Sequence, residues 1–237
     1  MMQIFDLTQP LSAKTPRSSD HPEVEFKVLR WYSRNGVCTR TITASLHSGT
    51  HLDTAALYFP DGMTVDQIPL DRICGSAIIV DIPKGQWGEI TPEDLDAASP
   101  RVEPGDIVVL HTGWHRYHHD EEQYILKGPG LIRSAVDWLV ERDIKAICSD
   151  TPSPEHPLMR LGQWRTLRPD IFGTVEVDPA KFPPHYAHKT FLPRGIIMIE
   201  SLGGQIEELL GQRVTLFALP PKYVGVEAAQ ARVIAIR

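Results

Sequence analysis

Apolar and polar residues alternate from Thr39 to Leu46, with β-branched side chains among them, and that period of two predicts a strand. Val24 to Tyr32 can pair with it as a hairpin around Ser33-Arg34-Asn35-Gly36, because Asn-Gly is the strongest short turn signal. Gln3 to Leu7 predicts a first strand, and Thr8 to Pro22 a polar, proline-bearing loop. Ser76 to Ile82 and Asp106 to Leu110 are apolar nearly throughout, the pattern of strands buried on both faces. Thr91-Pro92-Glu93-Asp94 reads as a helix start, with Thr91 as N-cap and acids in the first turn. Leu131, Ala135, Trp138 and Leu139 recur at helical spacing over Leu131 to Arg142, and the strand Ile144 to Cys148 follows. Strand, helix and strand in that order imply a right-handed crossover onto a parallel pair. Short helical turns are expected at Val65 to Ile68 and Gln205 to Leu210. Strands are expected at Gly195 to Glu200, Thr215 to Leu219 and Arg232 to Ile236, the last two joined through Pro220-Pro221. The reading is a single α/β domain over residues 1–237.

Pro152 to Pro193 shows no such order. It is rich in proline and carries His156, Trp164, His185, Tyr186 and His188, so it reads as an irregular lid over a site. Asp150, just past the carboxyl end of a predicted strand, lies where α/β sheets collect functional residues.

Composition narrows the function classes. With 237 residues, 42% hydrophobic and 23% charged, the chain can bury a full core. A formal net charge of -6, without a Lys/Arg run, argues against nucleic acid as a partner. No run of eighteen apolar residues predicts a membrane span, and Met1-Met2-Gln3-Ile4-Phe5-Asp6 lacks the order of a signal peptide, so a cytoplasmic location is expected. Cys38, Cys74 and Cys148 are far apart and contain no C-x-x-C pair, so reduced thiols are expected, with Cys148 serving as a small hydrophobe.

The candidate chemistry lies in Leu46-His47-Ser48-Gly49-Thr50-His51-Leu52-Asp53-Thr54. Two imidazoles and a carboxylate are ligands that zinc or manganese accepts. A strand ending near His47, followed by a fold-back at Gly49, brings His47 and His51 together, and an extended segment after it puts His51 and Asp53 on one side. Glu200 is a second candidate. It ends the apolar run Ile196-Ile197-Met198-Ile199, where an acid is costly to bury without a cation or partner, and His188 precedes it. On sequence alone, Glu200 exposed at a strand end and His188 on the surface is an equally open reading.

His47-Ser48-Gly49-Thr50-His51-Leu52-Asp53 resembles the H-x-G-T-H-x-D core of the metal-dependent cyclase family, whose members include bacterial kynurenine formamidase and isatin hydrolase. That family also has a histidine followed twelve residues later by a glutamate in G-I-x-x-x-E-x-L, matched here by His188 and Gly195 to Leu202. The resemblance implies a swivelling β/β/α-type fold with a mixed, partly barrel-like sheet and flanking helices. It also implies a homodimer or homotetramer and one or two divalent ions, zinc or manganese. His47, His51 and Asp53 would hold one ion, with Asp53 and Glu200 bridging to a second completed by His188. Two positions depart from the family. Its motif continues D-x-P-x-H, with the last histidine handling protons, whereas this chain reads Asp53-Thr54-Ala55-Ala56-Leu57. Where members often carry a substrate-contacting aromatic residue, it has Arg17, Ser18 and Ser19.

The expected function is therefore a metal-dependent hydrolase of a small amide or lactone, with Glu200 or His185 taking over the proton transfer that Leu57 cannot perform. The rivals are a non-catalytic relative that binds a metabolite or partner, and a metal-dependent lyase or isomerase.

Overall fold

The apolar runs become the inner strands of one mixed sheet in the computed structural model, which describes residues 2–237. In chain order the strands are Ile4–Asp6 (β1), Glu25–Arg30 (β2), Thr39–Thr43 (β3), His51–Asp53 (β4), Cys74–Asp81 (β5), Glu89–Ile90 (β6), Ile107–His111 (β7), Gly130–Leu131 (β8), Ala146–Ser149 (β9), Ile197–Glu200 (β10), Arg213–Leu219 (β11), Ala228–Gln230 (β12) and Arg232–Ile236 (β13). Nine of them form the main sheet, in the order β1-β13-β11-β5-β7-β9-β10-β4-β12. The centre, β5-β7-β9-β10, is parallel, and antiparallel strands extend it on both sides.

The sheet is curled. β12 and β13 are separated by Ala231 alone, yet they lie toward opposite ends of the strand order. A flat sheet of nine strands would hold its edges roughly 40 Å apart, a gap one residue cannot span. The chain just past β1 also bridges the chain just past β10, through Thr8 and Leu202. The inside of the curl is one apolar core to which all nine strands contribute, with Leu52, Ile79, Val109, Cys148, Ile199, Leu216 and Ala235 among its members. Alternate residues of the same strands, Ile78, Val108, Ile147 and Met198, face the other way, against the helices Arg133–Glu141 and Tyr186–Phe191. The α/β class is the one the strand-helix-strand pattern predicts, and the partly barrel-like sheet with flanking helices is the one the family resemblance implies.

The structure bears out several local expectations. Thr91 accepts a hydrogen bond from the Asp94 amide and the Asp94 side chain answers from the other direction, which closes a capping box. Trp138 is buried on the inner face of its helix. Cys148 lies fully buried, and burial pushes its thiol pKa up. No helix among the described residues is long and apolar enough to cross a membrane.

Two expectations need correction. The hairpin β2-β3 forms around Ser33-Arg34-Asn35-Gly36, but its first strand stops at Arg30 instead of Tyr32, and the connection is a helical turn, Tyr32–Asn35, ended by Gly36 at φ 71°. Pro152 to Pro193 is less irregular than expected, although residues 152–156 and 173–185 carry no helix or strand. It holds a 3-10 turn, Pro157–Arg160, and the helices Leu161–Leu167, Pro169–Phe172 and Tyr186–Phe191. Pro157 and Pro169 sit at the first position of their helical segments, where a missing N–H costs nothing, so these prolines start structure instead of breaking it. Trp164 and Phe172 from this region pack with Leu126 and Leu161 in a small core of their own.

Candidate metal centre

Gly49 makes the turn that builds the site. Its φ of 68° is closed to most side chains, and a Cβ there would lie 3.1 Å from Leu11 Cδ1. Thr50 then fastens the chain. Its hydroxyl accepts from the Gln9 amide at 2.8 Å and donates to the Ser201 carbonyl at 2.6 Å. In β4, Leu52 points into the inner core while His51 and Asp53 point to the opposite face. β10 lies antiparallel beside β4 with Glu200 directly across from His51, so the two side chains share that face. The helix Tyr186–Phe191 carries His188 to the same point.

All five predicted ligands converge. His51 Nε2 lies 3.5 Å from Asp53 Oδ1 and 3.4 Å from Glu200 Oε2. His188 Nε2 lies 3.9 Å from Asp53 Oδ2 and 3.7 Å from Glu200 Oε1. His47 Nδ1 lies 3.0 Å from Asp53 Oδ1. Two donor triads result, His47-His51-Asp53 and Asp53-His188-Glu200, with Asp53 common to both.

This donor set fits a divalent ion. Among the described residues, His51 Nε2 and Glu200 Oε1 are buried without a hydrogen-bond partner, and buried Asp53 Oδ1 has only the His47 imidazole at 3.0 Å, a costly arrangement unless a cation joins them. The second nitrogens have their own neighbours: His51 Nδ1 is hydrogen-bonded with the Gly49 carbonyl at 2.8 Å, and His188 Nδ1 pairs by charge with Glu155 Oε2 at 3.1 Å. Those contacts leave each Nε2 lone pair facing the carboxylates, the arrangement in which a histidine binds metal. Without a cation, only protonated imidazoles can neutralise the two buried acids. Burial pulls the His47 pKa down, but Asp53, Glu200 and Glu227 raise it to about 9. Burial would likewise push Asp53 up, yet His47, His51 and His188 hold it at about 2.

Three participants escape sequence reasoning. Glu155, fully buried, accepts from the Ala187 amide at 3.0 Å and braces His188; its only sequence signal is an acid inside a proline-rich stretch. Glu227 Oε1 lies 3.4 Å from His47 Nε2. Tyr58, the residue after Leu57, lines the pocket over the ligands, and its hydroxyl lies 2.9 Å from His185 Nδ1. His185 itself stands behind Tyr58 and not among the pocket residues, at φ 55°. The pocket has a cavity volume of about 160 Å³, and Arg17, Ser18, His21, Leu57, Ile125 and Arg160 are among its other lining residues.

The likeness to known proteins runs over nearly the whole chain. The chain is similar to a kynurenine formamidase of Erythrobacter litoralis, 28% identical over 233 residues, covering 98% of this chain and 93% of that one. It is similar to a second kynurenine formamidase, from Salinibacter ruber, at 25% identity and 98% and 97% coverage. In fold it is similar to isatin hydrolase A from Labrenzia aggregata, with a TM-score of 0.82, 21% identity and 99% and 93% coverage. A family model described as "Putative cyclase" matches residues 5–156, which include His47, His51, Asp53 and Glu155. On that match, over more than half of its length, the chain belongs to the cyclase family.

Proposed function

We propose that this chain is a metal-dependent hydrolase of a small amide or lactone that bears a carboxylate. The observation that carries the reading is the convergence of three histidines and two acids, with buried donor atoms lacking partners, on the floor of a small pocket. A divalent ion bound there supplies a Lewis acid for a carbonyl and a source of hydroxide near neutral pH, and the ligand types suit zinc or manganese. The similarity to two kynurenine formamidases supports amide hydrolysis as the chemistry.

The chain's own residues supply the remaining steps. Glu200 has both oxygens at the site, Oε2 3.4 Å from His51 Nε2 and Oε1 3.7 Å from His188 Nε2, and the oxygen that does not hold the ion is placed to accept a proton from the attacking water. Leu57 lines the pocket and can carry no proton. Tyr58 takes that role, with His185 behind it. Burial and the nearby Glu155 push the phenol pKa up, so it keeps its proton and can donate toward a leaving group, while His185 relays through the shared hydrogen bond.

The substrate class follows from the wall. Arg17 and Arg160 both face the pocket. Arg160 stacks over Trp164, holds Gln163 and has no carboxylate partner among the described residues, so its charge is free for an anionic group. We further propose that the protein works as a homodimer through the β2-β3 hairpin, whose apolar side chains Phe26, Val28 and Ile42 are exposed.

The test is turnover by stripped and reloaded protein on N-formyl amino acids, cyclic amides and lactones, each with and without a carboxylate. Chelation should abolish turnover, zinc or manganese should restore it, and carboxylate-bearing compounds should have the lower KM. Stoichiometric metal with no turnover on any of them would replace this reading with that of a metabolite-binding relative.

A further inference from the structure

A second histidine pair lies outside the site just described. β7 ends at His111, and Gly113, at φ 80°, turns the chain into the 3-10 segment Trp114–Tyr117, which brings His115 back beside it with the ring centroids 5.4 Å apart. β9 lies next to β7, and Asp150 follows its last residue, fully buried. One donor atom from each of His111, His115 and Asp150 lies within 4.8 Å of the other two. None of the three belongs to the first site.

We propose that His111, His115 and Asp150 form a second divalent-cation site. The observation that points to a ligand is His111 Nε2, which is buried and has no hydrogen-bond partner among the described residues. The other ring nitrogen is already taken, because Nδ1 lies 2.7 Å from Asp81 Oδ1 across the β5-β7 pair. A carboxylate on one imidazole nitrogen fixes the ring and makes the other nitrogen a better ligand. Asp150 Oδ2 lies 3.0 Å from His115 Nδ1, while Asp150 Oδ1 accepts from the amide and hydroxyl of Thr112 at 3.0 and 2.6 Å, so the acid is held in place. On the solvent side, Glu207 Oε1 lies 3.2 Å from His115 Nε2 and pairs with Arg116 at 2.7 Å, and Asp81 and Glu207 are both partly exposed, so the cluster lies close to the surface. Two imidazoles and one buried carboxylate suit a borderline ion such as zinc, nickel or cobalt and disfavour magnesium or calcium, which prefer an all-oxygen shell.

Occupancy would tie β7 to the chain that leaves β9. That chain runs from Asp150 through Thr151, whose carbonyl accepts from the Ser201 amide next to Glu200, to Glu155, which braces His188. The second ion thus acts as a brace behind the first site and touches no substrate.

Zinc titration of the metal-stripped full-length protein, with bound zinc counted by elemental analysis, tests the site. His111→Phe keeps a ring in the core but removes the ligand, and it should bind one zinc equivalent fewer than wild type. Asp53→Ala, which breaks both triads of the first site, should keep the zinc that His111→Phe loses, and the double variant should lose it. Equal zinc in wild type and His111→Phe would overturn the proposal, as would zinc retained by the double variant. Should His111→Phe fold poorly, His115→Gln carries the same expectation. Independently, zinc added to Asp53→Ala should move the His111 and His115 imidazole resonances, and unmoved resonances count against the site.

Discussion

Glu155 sets the angle at which His188 meets the carboxylates, and it is the residue whose loss should be read most cleanly. Glu155→Gln keeps an oxygen for the Ala187 amide but loses the charge beside His188 Nδ1. Metal affinity should fall about 10- to 100-fold with little change in the circular dichroism of the protein; unchanged affinity in a competition assay would remove Glu155 from the site. His47 gives a pH prediction with a definite sign. Its pKa in the metal-free fold is about 9, raised by Asp53 and its acidic neighbours against the pull of burial. A raised pKa means that the stabilisation it confers on the metal-free protein is complete below the unfolded value of about 6.5 and is lost as pH climbs toward 9. Metal binding needs that proton gone. The gap in Tm between manganese-loaded and metal-free protein should therefore widen from pH 6.5 to 8.5, and a constant gap would show that His47 is not a ligand. His47, His51 and Asp53 could be read as candidate ligands because they sit within seven residues, whereas only the family resemblance assigns His188 and Glu200 as ligands. Glu155, Glu227 and Tyr58 could not be read at all, because each acts through a contact made only when distant segments fold together.

At the scale of elements, the turn at Gly49 matters most, since His47 precedes it and His51 follows it in the same few residues. Gly49→Ala forces a side chain into a left-handed conformation and against Leu11 Cδ1. The cost should be about 1–2 kcal/mol, a drop in Tm of about 2–8 °C for a chain this size, with metal affinity weakened because the two histidines no longer converge. An unshifted Tm with intact affinity would mean the turn tolerates a side chain and does not build the site. The strands of the parallel centre could be read in sequence within two residues at each end, since their unbroken apolar runs leave little choice. The helices of Pro152 to Pro193 could not. Pro157 and Pro169 look like breakers in a linear reading, and only the folded chain shows them at first positions of helical segments. The helix holding His188 is a further case, because His185 enters it from a left-handed φ that no sequence pattern announces.

Over the whole molecule, the curl of the sheet could be expected only through the family resemblance, because it arises from β12 and β13 being consecutive in the chain yet far apart in strand order. The β2-β3 hairpin stands apart from that sheet, and both of its strands are exposed along their whole length. Phe26 and Ile42 lie directly across from each other, with Val28 two residues along on the same face, and a second group of exposed apolar residues, Trp31, Tyr32 and Val37, surrounds the turn. A two-stranded ribbon is at best marginally stable in water, and a monomer rarely leaves so continuous an apolar surface uncovered. A second copy of the chain offers the same ribbon, so a twofold pairing would cover both at once. Light scattering of the wild-type protein should accordingly give twice the chain mass. Phe26→Glu combined with Ile42→Lys puts charges on that face, and it should shift the mass to that of one chain while leaving the metal content of the β4-β10 site intact, since neither residue lines the pocket. A wild-type protein that is monomeric at micromolar concentration would end the dimer proposal without touching the metal assignment. A charged double variant that still dimerises would move the interface elsewhere on the molecule.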